Sequence, residues 1–150
     1  MIAMVQRVSE ASVKIDGQIV GEIGQGVLVL LGIHINDTQK ELEWLVQKVV
    51  QLRIFNDEDG KMNRSLLEVG GQALVVSQFT LYGDAKKGNR PSYITAARPE
   101  TAIPLYESFV EKLSLAIRKT VPTGVFGADM KVSLVNDGPV TLWLEKQPNG

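Results

Sequence analysis

The sequence predicts an α/β fold, a single domain over residues 1–150, in which layers of mixed, curved β-sheet carry two helices packed on one side. Three observations lead there. Val- and Ile-rich stretches fill both ends of the chain, as pleated strands favour. Two interior stretches, one after Thr38 and one after Thr101, repeat apolar residues at helical spacing. Val27 to Ile35 is apolar at nearly every position, the pattern of a strand covered on both faces. With 150 residues and 44% apolar side chains, the chain has material for one real core and too little for two.

In chain order, Ala3 to Ile15 reads as the first strand, Asp16-Gly17 as a tight hairpin turn and Gln18 to Ile23 as the return strand. Gly24-Gln25-Gly26 separates this pair from Val27 to Ile35. The first helix starts at a capping box, because Thr38 and Glu41 have the spacing at which each side chain satisfies a backbone donor near the other. Leu42, Leu45, Val46 and Val49 form its core stripe, and Trp44 reads as packing. Asn56 to Gly60 is a solvated turn: placing Gly60 at the glycine of an EF-hand loop puts Phe55 and Leu66 at ligand positions, and neither has a carboxylate. Ala73 to Phe79 is a further buried strand, running into a loop that holds Lys86, Lys87 and Arg90. The second helix covers roughly Thr101 to Lys119, with Pro104 in its first turn, Tyr106, Phe109, Val110, Leu113 and Ile117 on one face, and Pro122 as the stop. Met130 to Val135 and Val140 to Glu145 close the fold around an Asn136-Asp137-Gly138-Pro139 turn, and Gln147 to Gly150 is a loose tail.

The 16 basic and 17 acidic side chains leave a net charge of −1, so any RNA partner has to be held by a local basic patch. With no cysteine, a disulfide scaffold, a thiolate nucleophile and a cysteine-ligated zinc are excluded. Met1 to Arg7 lacks the layout of a secretory signal. The longest apolar run, Val27 to Leu31, falls far short of the ~20 residues of a membrane helix. A cytoplasmic protein without a membrane partner is expected.

The chain has one histidine, His34, between Ile33 and Ile35 at a strand end, so any Ser-His-Asp triad or histidine metal site would have to be built on it alone. A structural histidine is the reading adopted, with no metal and no cofactor expected. Gly83 and Gly88 have phosphate-loop spacing, but Asn89-Arg90 follows where Lys-Ser or Lys-Thr is required. Gly24-Gln25-Gly26 lacks the third glycine of a dinucleotide fingerprint. Two segments remain. Ser77-Gln78-Phe79-Thr80-Leu81 sets hydroxyls and an amide where a buried strand emerges, so that backbone N–H groups can face a reacting carbonyl; equally, those hydroxyls can simply satisfy the local backbone. Gly138-Pro139 is either a cis-proline turn or an ordinary hairpin turn.

Taken together, Ser77-Gln78-Phe79-Thr80-Leu81 and Asn136-Asp137-Gly138-Pro139-Val140-Thr141 resemble the two signature motifs of the D-aminoacyl-tRNA deacylase family. Gln6-Arg7-Val8, Arg53-Ile54-Phe55, Gly60-Lys61-Met62-Asn63 and Asn89-Arg90-Pro91-Ser92 are similar to other family segments, so the resemblance spans the chain. It implies the family's fold order: two strands, two strand–helix units, then three closing strands. It also implies a homodimer in which a cis Gly138-Pro139 turn reaches into the partner's site and rejects L-amino acids sterically. Ser77, Gln78, Phe79 and Thr80 would then surround the scissile ester as candidate catalytic residues, with the Phe79 and Thr80 N–H groups as an oxyanion hole. Water assisted by the 2′-hydroxyl of the terminal adenosine would attack, and Thr80 would position rather than attack. D-aminoacyl-tRNA is the expected substrate, with glycyl-tRNA admitted because glycine has no side chain to reject. Lys86, Lys87 and Arg90 are candidate tRNA phosphate contacts, or a solvated basic loop. The competing readings are a Thr80-nucleophile esterase, a non-catalytic protein that binds the tRNA acceptor end, and a structural dimer.

Overall fold

The computed structural model describes residues 1–148, so Asn149 and Gly150 of the expected tail lie outside the described residues. Strand β1 runs over Ile2–Ile15 and turns at Asp16-Gly17 into β2, Gln18–Ile23. Both turn residues have positive φ, 51° and 77°, which is the left-handed pair a two-residue hairpin needs. Strand β3, Gly26–Gly32, ends earlier than the apolar run because the chain leaves the sheet at Ile33, whose carbonyl accepts from the Ala97 N–H at 2.8 Å. Helix α1 follows over Gln39–Gln51 with both halves of the Thr38–Glu41 capping box in place.

Asn56 to Gly60 forms the tip of a small hairpin, β4 (Phe55–Asn56) and β5 (Met62–Arg64). Asp57 Oδ1 accepts from the backbone N–H groups of Asp59 and Lys61, at 2.9 and 3.0 Å, so this carboxylate closes the turn. Strand β6, Gln72–Ser77, leads into a 3-10 turn at Phe79–Tyr82, and helix α2 spans Pro99–Ile117. That helix differs from expectation at both ends. Pro99 occupies its first turn, a position where no N–H is needed, so Pro104 falls inside the helix rather than in its first turn. Arg118, with φ 58°, ends it four residues before Pro122. The expected closing strands are one 15-residue strand, β7, Lys131–Glu145.

The sheet order is β2-β1-β3-β6, with β7 on the other edge of β1; β3 and β6 are parallel and the other pairs antiparallel. Along one edge of β1, residues 2–8 pair with β3 and 11–15 with β2, while β7 follows the opposite edge along nearly its whole length. Two cores result. Ala3, Val5, Val27, Val29, Leu31, Ala73 and Val75 pack under both helices. Val8, Ala11, Val13, Leu28, Leu74 and Val76 fill the other side, where the sheet curls over itself. Within β1 the alternation slips by one residue between Val8 and Ala11, and the first and second halves of the strand therefore feed different cores.

Burial pushes the Glu41 carboxyl up, but the bonds it accepts from the Thr38 N–H and hydroxyl outweigh this and hold it below its ordinary 4.5. A depressed carboxylate contributes stability above its unfolded value and loses it as pH falls through the folded value. Denaturant titration of Glu41→Gln should show a deficit against wild type at pH 7 that narrows below pH 4.5; a constant deficit would mean packing, not charge, is responsible. Thr38→Ala should cost about 1 kcal/mol.

Candidate active site

Where β6 ends, Ser77 pairs with Leu31 and the Gln78 N–H donates to the Leu31 carbonyl at 2.8 Å. The backbone then breaks from the strand at Gln78 and tightens into the 3-10 turn. Gly32 lets this turn close over the end of β3, since a Cβ there would meet the Gln78 oxygen and the Leu81 side chain, each at 3.2 Å. Phe79 and Thr80 open the turn, so their N–H groups have no acceptor within it. The Leu81 and Gly83 N–H groups find the Gln78 and Thr80 carbonyls, but among the described residues nothing takes up those of Phe79 and Thr80.

Beside the turn lies a cleft of about 590 Å³ with an apolar floor of Leu31, Ile33 and Val76. Ser77, Gln78 and Phe79 form one wall, Tyr93 with Ala96 to Pro99 another, and Phe126 to Ala128 with Met130 the third. The structure thus brings three of the four candidate residues to the cleft. Thr80 is adjacent but does not line it, and its hydroxyl accepts from the Gln78 amide. Phe79 is 56% exposed and meets Tyr93 edge-on at 5.1 Å, which puts an aromatic pair at the cleft wall.

His34 lies outside this cleft. Its Nδ1 accepts the Asn36 N–H at 3.0 Å, its backbone N–H donates to Asp37 Oδ2 at 2.6 Å, and its ring packs edge-on against Tyr82. It is the strand-end histidine expected. Lys86, Lys87 and Arg90 are exposed on a loop whose neck is closed by reciprocal Asp84–Ser92 bonds of 2.8 Å; they do not line the cleft either.

Gly138-Pro139 is cis and lies within β7 rather than in a hairpin turn. Gln6 pairs with Thr141 and Val8 with Asn136, so Asp137 to Val140 stand opposite the single residue Arg7. The side chains around the bulge define it. Asn136 Oδ1 accepts from the Val140 N–H at 2.7 Å, and its amide donates to the Thr141 hydroxyl at 2.9 Å. Arg7, buried in the strand, donates from Nε to the Asp137 carbonyl and from Nη1 to the Ile54 carbonyl, both at 2.7 Å. Gly138 has φ 151°, and a Cβ there would lie 2.8 Å from the Val140 nitrogen, so only glycine fits. This bulge is far from the cleft of its own chain. Ser77 is level with Ala3 and Asn136 with Val8, five residues along and three strands across, roughly 20 Å along the sheet.

A family model described as D-Tyr-tRNA(Tyr) deacylase matches residues 4–145. The chain belongs to this family. A D-aminoacyl-tRNA deacylase of Chromobacterium violaceum is 63% identical over 147 residues, 98% of each chain. Another, from Thermomicrobium roseum, is 61% identical and covers 97% of this chain and 94% of its own. Among solved structures, a c-Myc DNA unwinding element binding protein superposes with a TM-score of 0.93 at 46% identity, covering 98% of this chain and 99% of that one. A probable eukaryotic D-amino acid tRNA deacylase shares the fold, with a TM-score of 0.83 at 18% identity over 95% and 97% of the two chains.

Sequence reading of this deacylase-family chain missed how Arg7 works, although an arginine inside a Val-rich strand is a signal that a buried partner must exist. It also missed the Tyr93–Pro99 and Phe126–Met130 walls, which come from loops with no periodicity to read. Arg7→Lys should destabilise the fold by about 1–3 kcal/mol in thermal or denaturant melts, because an ammonium lacks the planar fork that reaches both carbonyls; wild-type stability would contradict this. Tyr82 carries the opposite prediction. Its buried hydroxyl has no partner among the described residues, and burial together with Asp37 and Glu145 pushes the phenol well up. Tyr82→Phe should match or exceed wild-type stability, by up to about 1 kcal/mol.

Proposed function

We propose that the protein hydrolyses the ester linking a D-amino acid to the 3′ end of its tRNA, releasing the free D-amino acid and tRNA. The observation that carries this is the combination, in a deacylase-family chain, of an open cleft beside a turn whose Phe79 and Thr80 N–H groups meet no acceptor among the described residues, and an exposed, pinned Gly138–Pro139 bulge midway along β7. An aminoacyl ester is already activated, so orientation and stabilisation of the oxyanion can carry the reaction.

In this reading the ester carbonyl enters beside Ser77 and Gln78 with its oxygen toward the Phe79 and Thr80 N–H groups. Water adds to the carbonyl carbon, assisted by the 2′-hydroxyl of the terminal ribose; the C–O bond to the ribose then breaks, and the ribose oxygen leaves with a proton. Thr80 positions through its bond with Gln78. It does not act as a nucleophile, because among the described residues no carboxylate or imidazole lines the cleft beside it to serve as its base.

The Gly138–Pro139 apex acts on the cleft of a second copy. Its exposure and its distance from its own cleft support this, as does the outward sheet face of β7, where Val135 and Trp143 are 49% and 52% exposed. Large apolar side chains on a sheet face call for a cover, and a two-fold dimer would build two such sites. Backbone at the apex would collide with an L side chain and leave room for a D side chain. Glycyl-tRNA passes the same test. Lys86, Lys87 and Arg90 contact phosphates of the acceptor end.

Purified protein should release D-tyrosine from D-tyrosyl-tRNA and spare the L form; equal hydrolysis of both would defeat the chiral reading, and an intact ester under stoichiometric protein would leave only a binding protein. Gly138→Ala should reduce the D-specific rate roughly a hundredfold by displacing the apex. Mixing that variant with Phe79→Ala subunits should restore one good site per heterodimer. Heterodimers that form without recovery would assign each site to a single chain.

A further inference from the structure

A second cavity, of about 680 Å³, adjoins the ester cleft and shares Tyr93, Ala96, Ala97 and Arg98 with it. Its remaining lining is Ile35, Asn36, Ile94, Glu100 and Thr101. Resting on the deacylase reading, we propose that this cavity holds the penultimate nucleotide of the tRNA 3′ strand, so that the enzyme grips the strand on both sides of the terminal ribose phosphate.

A nucleotide whose 3′ ester lies in the cleft continues through its 5′ phosphate, so the next nucleotide has to leave across a wall of the same cleft. The shared wall from Tyr93 to Arg98 opens directly on the second cavity, and Arg98, exposed at the start of α2 with no side-chain bond to the helix end, stands on both sides of it. A guanidinium at that junction suits a bridging phosphate.

The surface chemistry agrees. Ile94 is 84% exposed and Ile35 is 49% exposed, and with Tyr93 they give an apolar and aromatic surface of the kind on which an unpaired base stacks. Glu100 and the Asn36 amide add acceptors suited to an exocyclic amino group, such as that of cytosine. A bare carboxylate here would repel phosphate, which favours the base, not the backbone, as the group inside. The wall is also held in place: Ile35 N–H donates to the Thr95 carbonyl at 2.9 Å and Ala97 N–H to the Ile33 carbonyl at 2.8 Å. Ser92, at the neck of the Lys86–Arg90 loop, immediately precedes Tyr93, so the basic loop emerges beside this cavity, where the following phosphates would pass.

The experiment compares two substrates, D-tyrosyl-tRNA and the 3′-O-D-tyrosyl ester of adenosine, which lacks every other nucleotide. Wild type should use the tRNA more efficiently. Ile94→Ser, which removes stacking surface, and Thr101→Trp, which fills the cavity, should lower the ratio of kcat/KM for tRNA to that for the adenosine ester roughly tenfold. On tRNA made abasic at the penultimate position, wild type should fall to the level of Ile94→Ser and the variant should fall no further. Loss on both substrates alike, an unchanged ratio, or additive losses from the variant and the abasic site would each overturn the assignment. If wild type cleaves neither substrate, it is the deacylase reading that fails.

Discussion

Arg7 sits where β7 bulges away from β1, and its guanidinium takes up the Asp137 carbonyl inside that bulge and the Ile54 carbonyl beside it. Strand β1 serves one core with its first half and another with its second, which requires its alternation to slip near Ser9. A second irregularity, next to that slip, sets four β7 residues opposite Arg7, and an inserted stretch of that length has no regular partners. A planar fork of donors spans the Asp137 and Ile54 carbonyls and so ties β1 and β7 to the start of the β4–β5 hairpin. Burying a guanidinium is costly, but removing it leaves buried acceptors unmatched, which costs more than a well-made bond returns. The same interaction therefore closes the curled sheet and fixes the apex that carries Gly138 and Pro139.

Much of this was legible in the residues and some was not, for identifiable reasons. Asp16-Gly17, the Thr38–Glu41 box and the doubly buried β3 are local signals, and local physics decided them. Asn136 to Pro139 carries every mark of a turn, yet it lies inside a strand because β1 supplies a partner on both sides of it. That outcome depends on a pairing more than a hundred residues distant in sequence, which no window of turn residues can register. The early stop of α2 at Arg118 is a similar case: a left-handed residue there lets Pro122 reach β6, where its carbonyl accepts from the Val75 N–H at 3.2 Å. For the site, the motif strand could be read directly. The opposite walls could not, since Tyr93 to Pro99 and Phe126 to Met130 are irregular segments placed by tertiary contacts.

The turn beside the cleft adds backbone polar groups to the side chains that line it. Ser77 and Gln78 contribute side chains, but the free donors at Phe79 and Thr80 exist because a strand ends and a tight turn begins. Such donors do not titrate and do not rotate, so a site built from them has little reorganisation to undergo as charge develops on a carbonyl oxygen. His34, the one side chain of the ordinary base type, is held in a turn beside Asp37 and away from the cleft. Ester chemistry on an activated substrate is matched to this arrangement, whereas an amide would demand a proton donor for its leaving group.

On the proposed reading, a backbone selector would also set what kind of specificity is attainable. A side-chain gate can swing to admit a larger group, so it discriminates by size and relaxes under pressure from the substrate. The Gly138–Pro139 apex is fastened by Arg7 and Asn136 and has no side chain at Gly138 to swing, so its position is as firm as the sheet itself. Acting across a dimer, it would test only which substituent of the α-carbon faces it. The opposite substituent would meet an open cleft of several hundred Å³ and would be little constrained. An enzyme built on that reading would be strict about configuration and tolerant of side-chain identity, as a single proofreader facing many D-amino acids would need to be.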